Sequence, residues 1–497
     1  MIAVRILIVL LIALTITPYT HAETKATEQA GVIVFKVIPN QSGASTFFKN
    51  WQKITIKQVG PSKASKSYSL TYTDKGNTRT AIYSGLVPPG LYRFVDFSSL
   101  QCGWLCVSAS IKVNDKFSQF SVEAGKLTYL GNIVQLTRGE GDVLLVPQLD
   151  PPKADAISFV TQIFPQYRSQ LESGVLGWVD AAADNTDANL YQSTKQLSAG
   201  LFGPTQMQDG SLLFGSSLGV VRHWTPGKAP VALDTGASVS IESAIQLPDG
   251  TLLAGGELGV FKMSTDDGLT WADIDAGIPF GIIKSIKISD SGDIYVTHLL
   301  DNVVSIFKGR IGIPQWKLIT EQTLSISKIW DIQGIVPETF QYQQYLLVSL
   351  PGRNLLVLDT HTDEFSVRKS AGGIQGITMT GDGVIRCRCV GGIAVNPWES
   401  HDLGATWQKS AVDRFMQLPA FKDQQIGVAM MGVWLSKDAY MAASQDGGKT
   451  WDKQMVTDGK YYPNIFYADR QKIFVAYDNY DSIIFSADDG KSWVPGY

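Results

Sequence analysis

The chain has 497 residues, 44% hydrophobic, 18% charged and 10% aromatic, a balance that excludes an intrinsically disordered protein. Lysine and arginine number 42 against 46 aspartates and glutamates, so the net charge of -4 offers no general attraction for nucleic acid or an acidic membrane. At roughly 150 residues per domain, the length leaves room for two or three folded units.

The first segment reads as an export signal. Arg5 precedes an apolar run from Ile6 to Ile16, and Thr20-His21-Ala22 supplies the small residues of a cleavage site, placed after Ala22. A membrane anchor needs about 20 apolar residues, and Pro18 and His21 cut this run short. No cysteine follows the run to carry a lipid, so the mature chain is expected to be soluble and periplasmic or secreted. The four cysteines fall in two tight pairs, Cys102 with Cys106 and Cys387 with Cys389, which an oxidising compartment would let close. The second pair is harder to bridge, because residues two apart on a strand lie about 6.6 Å apart, so it stands as either bridged or reduced. No metal is expected, since the five histidines are scattered and no Cys-x-x-Cys or His-x-x-x-His spacing occurs. No cofactor-binding string occurs either.

Residues 30–148 read as a β-sandwich after the signal at 1–22. Its short strands are Gly31 to Ile38, Trp51 to Val59, Tyr68 to Thr73, Leu91 to Phe97, Val107 to Val113, Phe117 to Val122 and Val143 to Val146. The string Val87-Pro88-Pro89-Gly90-Leu91-Tyr92 sets a turn just before a strand. It resembles the Pro-Gly-x-Tyr turn of small transthyretin-like or carboxypeptidase-regulatory-like sandwiches. Residues 149–198 read as a helical segment and linker. Ile157, Val160, Ile163, Phe164 and Leu171 take helical spacings, Pro165 kinks or ends the helix, and Asp180 to Asn189 is the linker.

Residues 199–497 repeat. Gln206-Met207-Gln208-Asp209-Gly210-Ser211-Leu212-Leu213, with Gly215 and Leu218-Gly219-Val220, recurs 40 residues later as Gln246-Leu247-Pro248-Asp249-Gly250-Thr251-Leu252-Leu253, with Gly255 and Leu258-Gly259-Val260. Each copy describes a strand, an Asp-Gly hairpin, a second strand, a Gly-rich turn and a third strand. Weaker copies begin near Ile286, Ile332, Ile377, Phe415 and Ile465. Seven units of about 40 to 45 residues match the period of four-stranded propeller blades.

A second motif keeps step with the first: Ser264-x-Asp266-x-Gly268-x-Thr270-Trp271, Ser400-x-Asp402-x-Gly404-x-Thr406-Trp407, Ser444-x-Asp446-x-Gly448-x-Thr450-Trp451 and Ser486-x-Asp488-x-Gly490-x-Ser492-Trp493. The intervals are 136, 44 and 42 residues, and the first equals three units, with Trp316 as a remnant between. These segments resemble Asp-boxes, the turns between third and fourth strands of sialidase-type propellers. The resemblance implies an all-β fold, a sandwich followed by a seven-bladed propeller, with these aspartates in structural rather than catalytic roles. Asp-box propellers include sialidases, xyloglucan-processing endoglucanases, sortilin-like receptors and photosystem II assembly factors, so the fold alone does not choose a function.

A sialidase would need an Arg-Ile-Pro motif early in the propeller, and the nearest string, Arg310-Ile311-Gly312-Ile313-Pro314, is interrupted. Gly215-Ser216-Ser217-Leu218-Gly219 matches a hydrolase elbow, but it reads as a turn between strands. Loops between second and third strands face the side where propellers usually bind. They contribute Glu257, His298, Asp301, Arg353, Trp434, Lys437, Asp438, Tyr480 and Asp481, a mixture suited to a protein or glycan partner. The sequence therefore points to an exported, non-catalytic binding or scaffold protein. The alternative is a glycoside hydrolase with Glu257 and Asp301 as acid and base.

Overall fold

A computed structural model describes residues 30–38, 51–60, 66–73, 80–102, 106–114, 117–138, 142–179, 185–196, 200–324, 337–350, 352–391, 394–410, 418–432, 439–457, 460, 462–478 and 482–497. The chain is mostly β and divides into two compact units. The first comprises Met1–Asn40, Thr46–Thr73 and Ala81–Tyr191; the second comprises Gln41–Ser45, Asp74–Thr80 and Gln192–Tyr497.

In the first unit, hydrogen bonds join ten strands into one sheet among the described residues. The main path runs Val175–Leu176, Leu127–Arg138, Gly31–Ile38, Ala81–Val87, Ser67–Thr73, Lys53–Gln58, Gly90–Cys102 and Cys106–Lys112. Phe120–Val122 adds beside Gly90–Cys102, and Asp142–Pro147 beside Leu127–Arg138. A bridge between Phe120 and Trp178 ties the side strand Phe120–Val122 to the residues just after Val175–Leu176, and the buried side chains form a core. Phe94, with no exposed surface, sits at its middle, its ring 5.2 to 6.0 Å from those of Phe35, Phe97, Phe117, Phe120 and Trp178. Gly31–Ile38 runs parallel to Leu127–Arg138, with a register shift opposite Gly131. Gly131 has φ +62, and a Cβ there would press on Pro151 and Gln148. The Pro-Pro-Gly turn joins Ala81–Val87 to Gly90–Cys102, and the Tyr92 hydroxyl donates to the Pro88 carbonyl at 2.7 Å.

The segment that follows is helical from Lys153 to Ile163, with Ala156, Phe159, Val160 and Ile163 buried. Ile157, assigned by spacing to the apolar face, is instead 54% exposed. Pro165 opens a tight turn after this helix, as its missing N–H requires. Another helix, Asn185–Gln196, begins inside the stretch read as a linker. None of the helices among the described residues is long and apolar enough to cross a membrane.

The second unit is built of propeller-like antiparallel sheets. Among the described residues five have four strands; their first strands are Phe202–Gln206, Ile241–Gln246, Ile282–Ile288, Ala420–Phe421 and Asn464–Ala468. Between the third and the last two lies a seven-stranded sheet, because Phe365–Met379 is both the outer strand of one four-strand unit and the first strand of the next. We number the four-strand units one to seven in chain order. Thr205 donates to the Ala244 carbonyl, Ile286 N–H to Ser243 Oγ, Gln341 to the Ile288 carbonyl and Ile377 N–H to Glu338, linking units one through five. The Arg386 guanidinium lies over the Phe421 ring, Lys422 pairs with Asp489, and Trp224 donates to the Gly496 carbonyl, linking five to six, six to seven and seven to one.

Candidate functional site

The four Ser-x-Asp-x-Gly-x-Thr/Ser-Trp segments all lie between the third and fourth strands of their units and fold alike. In the second unit of the ring, Gly268 N–H donates to Ser264 Oγ at 2.9 Å, Ser264 donates to Asp266 Oδ1, and Thr270 donates through N–H and hydroxyl to the two Asp266 oxygens. The same pattern joins Ser400, Asp402, Gly404 and Thr406; Ser444, Asp446, Gly448 and Thr450; and Ser486, Asp488, Gly490 and Ser492. Gly268, at φ +86, follows Asp267 at φ +57, a pair of left-handed residues that turns the chain tightly enough for one serine hydroxyl to serve the whole corner. The indole N–H groups of Trp271, Trp451 and Trp493 donate to the carbonyls of Gly268, Gly448 and Gly490, whereas Trp407 donates to Lys369. Donors from Thr270 and Thr450 hold the Asp266 and Asp446 carboxyls down at about 2. At Asp402 burial pushes upward, and the bonds from Thr406 and Ser400 outweigh it, again giving about 2. Both oxygens of each carboxylate are thus occupied by the turn. Trp316 fills the corresponding corner of the third unit, buried against Gly309 and Phe261.

At the other end, between second and third strands, the sequence candidates separate. Glu257 has no exposed surface; its carboxylate accepts from Thr80 N–H at 3.3 Å, Thr80 hydroxyl at 2.6 Å and Ser240 N–H at 3.3 Å. His298 is 1% exposed, edge-on to Phe307, with neither ring nitrogen in a hydrogen bond among the described residues. Burial lowers its pKa. Asp301 stands exposed in a turn at φ +51. The Arg353 side chain, Trp434, Lys437, Asp438, Tyr480 and Asp481 lie outside the described residues. The Gly215 to Gly219 segment is flanked by strands Leu212–Gly215 and Val220–Trp224 on both sides, without the helix an elbow requires. Arg310 is engaged by Asp293 at 2.5 Å and by the Ser291 carbonyl.

The first strands carry charges that the motif reading missed. Lys284 pairs with Glu242 on the neighbouring sheet, their side chains 7% and 3% exposed. Beyond Lys284 stands Glu338, whose Oε2 accepts from Ile377 N–H at 3.3 Å. Glu338 keeps accessible surface, yet protein crowds it, and this desolvation pushes its carboxyl up to about 7 against the opposing pull of the Ile377 N–H and Lys284. Lys287, partly exposed, makes no hydrogen bond or ion pair among the described residues, and burial lowers its pKa. The available signal was two lysines within Ile282-Ile283-Lys284-Ser285-Ile286-Lys287-Ile288, an otherwise apolar strand.

Cys387 and Cys389 are buried in the fifth unit at bonding distance, with their Cα atoms 5.5 Å apart. Cys102 and Cys106 are register partners, and their side chains lie outside the described residues. Among the described residues no group of three or more potential ligands could hold a metal ion.

No family model matches the chain, and no curated protein sequence does. Solved structures with a similar course of chain include YCF48 bound to D1 peptide, at 15% identity and TM-score 0.43, covering 56% of this chain and 90% of that one. YCF48 from Cyanidioschyzon merolae is similar at 16% identity and TM-score 0.41, covering 59% and 93%. The GH74 enzyme of Niastella koreensis is similar at 11% identity and TM-score 0.42, covering 88% of this chain and 66% of its own. At these scores none of them bears on what this chain binds or does.

Proposed function

We propose that the chain is an exported bacterial binding or scaffold protein whose second unit closes into a seven-bladed Asp-box propeller. It engages a protein or glycan partner through the loops between second and third strands, without catalysis. The observation that carries this reading is the state of Glu257: a carboxylate that must exchange protons with a substrate cannot do so while fully buried and held by Thr80 and Ser240. The four motif aspartates support it, since their oxygens are occupied by turn donors. Seven four-strand units, each tied to the next and the last to the first, support the closed ring. Arg5, the Ile6 to Ile16 run and Ala22 support export, as does a closed Cys387–Cys389 pair.

The test has two arms on the mature chain. Affinity capture from envelope extract is expected to recover a partner that Asp301→Asn weakens. Fluorogenic glycosides, sialosides included, are expected to show no turnover. Hydrolysis that disappears in Glu257→Gln or Asp301→Asn would replace this reading with a glycoside hydrolase.

A further inference from the structure

We propose that the recess between the fifth and sixth units, at the end opposite the second-to-third-strand loops, is a saccharide-binding site. The recess holds about 460 Å³ and is lined by Asp382, Asp423, Gln424, Gln425, Ile426 and Gln445. Three turns converge there: the hairpin after Phe365–Met379, the hairpin between Ala420–Phe421 and Gly427–Met431, and the Ser444 to Trp451 turn.

Two of these turns fix a carboxylate by one oxygen only. Thr380 hydroxyl donates to Asp382 Oδ1, while the N–H groups of Gln425 and Ile426 donate to Asp423 Oδ1, both at 2.8 Å. The Gln425 carbonyl in turn accepts from Gly447 N–H at 2.9 Å, which locks the hairpin to the Ser444 turn. Each aspartate is left with Oδ2 unbonded, and the side-chain amides of Gln424, Gln425 and Gln445 make no hydrogen bond among the described residues. A guanidinium lies in the same seam. Arg386 is 5% exposed, stacked 3.6 Å from the Phe421 ring centroid, with its Nε 3.8 Å from Glu399 Oε2. It stands near enough to Asp382 and Glu399 to feel their charges.

The chemistry of this lining selects by elimination. An anion would meet two fixed carboxylates. A bare metal ion would find only two carboxylates here, short of the three or more protein ligands that no group among the described residues supplies, and it would leave three amides unused. A neutral ligand carrying several hydroxyls meets neither penalty: fixed carboxylate oxygens accept from hydroxyls, and glutamine amides both donate and accept. Ile426 adds apolar surface for the C–H face of a sugar ring. The fixed oxygens also mean that little ordering is left for the moment of binding.

The mature chain should be titrated with cellotetraose, maltotetraose and chitotetraose by calorimetry, with saturation-transfer NMR as a second readout. Saturable binding of at least one is expected. D382N/D423N should weaken it about tenfold or more, through loss of two charge-assisted hydrogen bonds. Gln445→Ala, which breaks no bond of the fold, should weaken it about threefold, and Lys228→Ala on an exposed turn of the first four-strand sheet should leave it unchanged. No saturable binding of any of the three overturns the proposal. So does equal binding by the parent and both recess variants, or calcium binding that D382N/D423N abolishes with no sugar bound. Failure of partner capture through the other end would leave these outcomes unaffected.

Discussion

The two ends of the second unit solve the same problem differently. Where third strands turn into fourth, four corners use one arrangement of serine, aspartate, glycine and tryptophan, and each corner satisfies its own backbone. Where second strands turn into third, the described loops differ: the first two share a Leu-Gly pair at positive φ and the second of them buries a glutamate under Thr80 and Ser240, while the third exposes an aspartate at positive φ. A repeated corner is a local hydrogen-bond requirement, so it recurs as a motif. A loop that depends on distant partners has no such template, and that is the end left free to diversify.

The largest contrast should come from Glu257→Ala. Removing a buried carboxylate strands three donors, and denaturant unfolding should show a loss of about 3 kcal/mol or more. A loss under about 1 kcal/mol would mean the loop end is as self-contained as the corners. At the corners, Ser264→Ala, Ser400→Ala, Ser444→Ala and Ser486→Ala should each cost about 1 kcal/mol, because each serine is buried and bonds two N–H groups and one carboxylate. One variant costing several times the others would break their equivalence.

Acid should act on the corners together. Asp266, Asp402 and Asp446 sit at about 2 in the fold and near 4 when unfolded, so their contribution is present above about 4 and is lost as pH falls towards about 2. Carboxyl carbon shifts followed by NMR should report three transitions near that lower value; transitions near 4 would deny the bonds. The smallest effect is expected at Glu338, whose raised pKa makes the fold bind its proton more tightly than the unfolded chain does. Stability should therefore decline as pH rises from about 4 to about 7, and Glu338→Gln should flatten that decline. An unchanged pH profile of melting temperature would place the carboxyl in open solvent.

The repeat was legible because its elements are local. The Asp-Gly hairpins after Gln206 and Gln246, and the four tryptophan corners, are each specified within eight residues, and the structure folds them as short-range turns. Long-range features were not legible. Leu127–Arg138 went unread as a strand because the bulge at Gly131 breaks its alternation and its parallel partner lies about a hundred residues earlier. Glu242, Lys284 and Glu338 escaped notice because they lie far apart in the sequence, and only the succession of sheets brings them near one another. Asp382 and Asp423 looked like ordinary turn residues, and their convergence depends on two hairpins some forty residues apart.

Phe365–Met379 has a mechanical consequence. One uninterrupted backbone serves two sheets, and its Arg368 and Lys369 hold the corner of the later one through Asp402, Leu403 and Trp407. Pulling either sheet loads the other directly, with no loop between them to yield. Breathing of the ring must then start at a different joint, and amide exchange should find these two sheets the last to open.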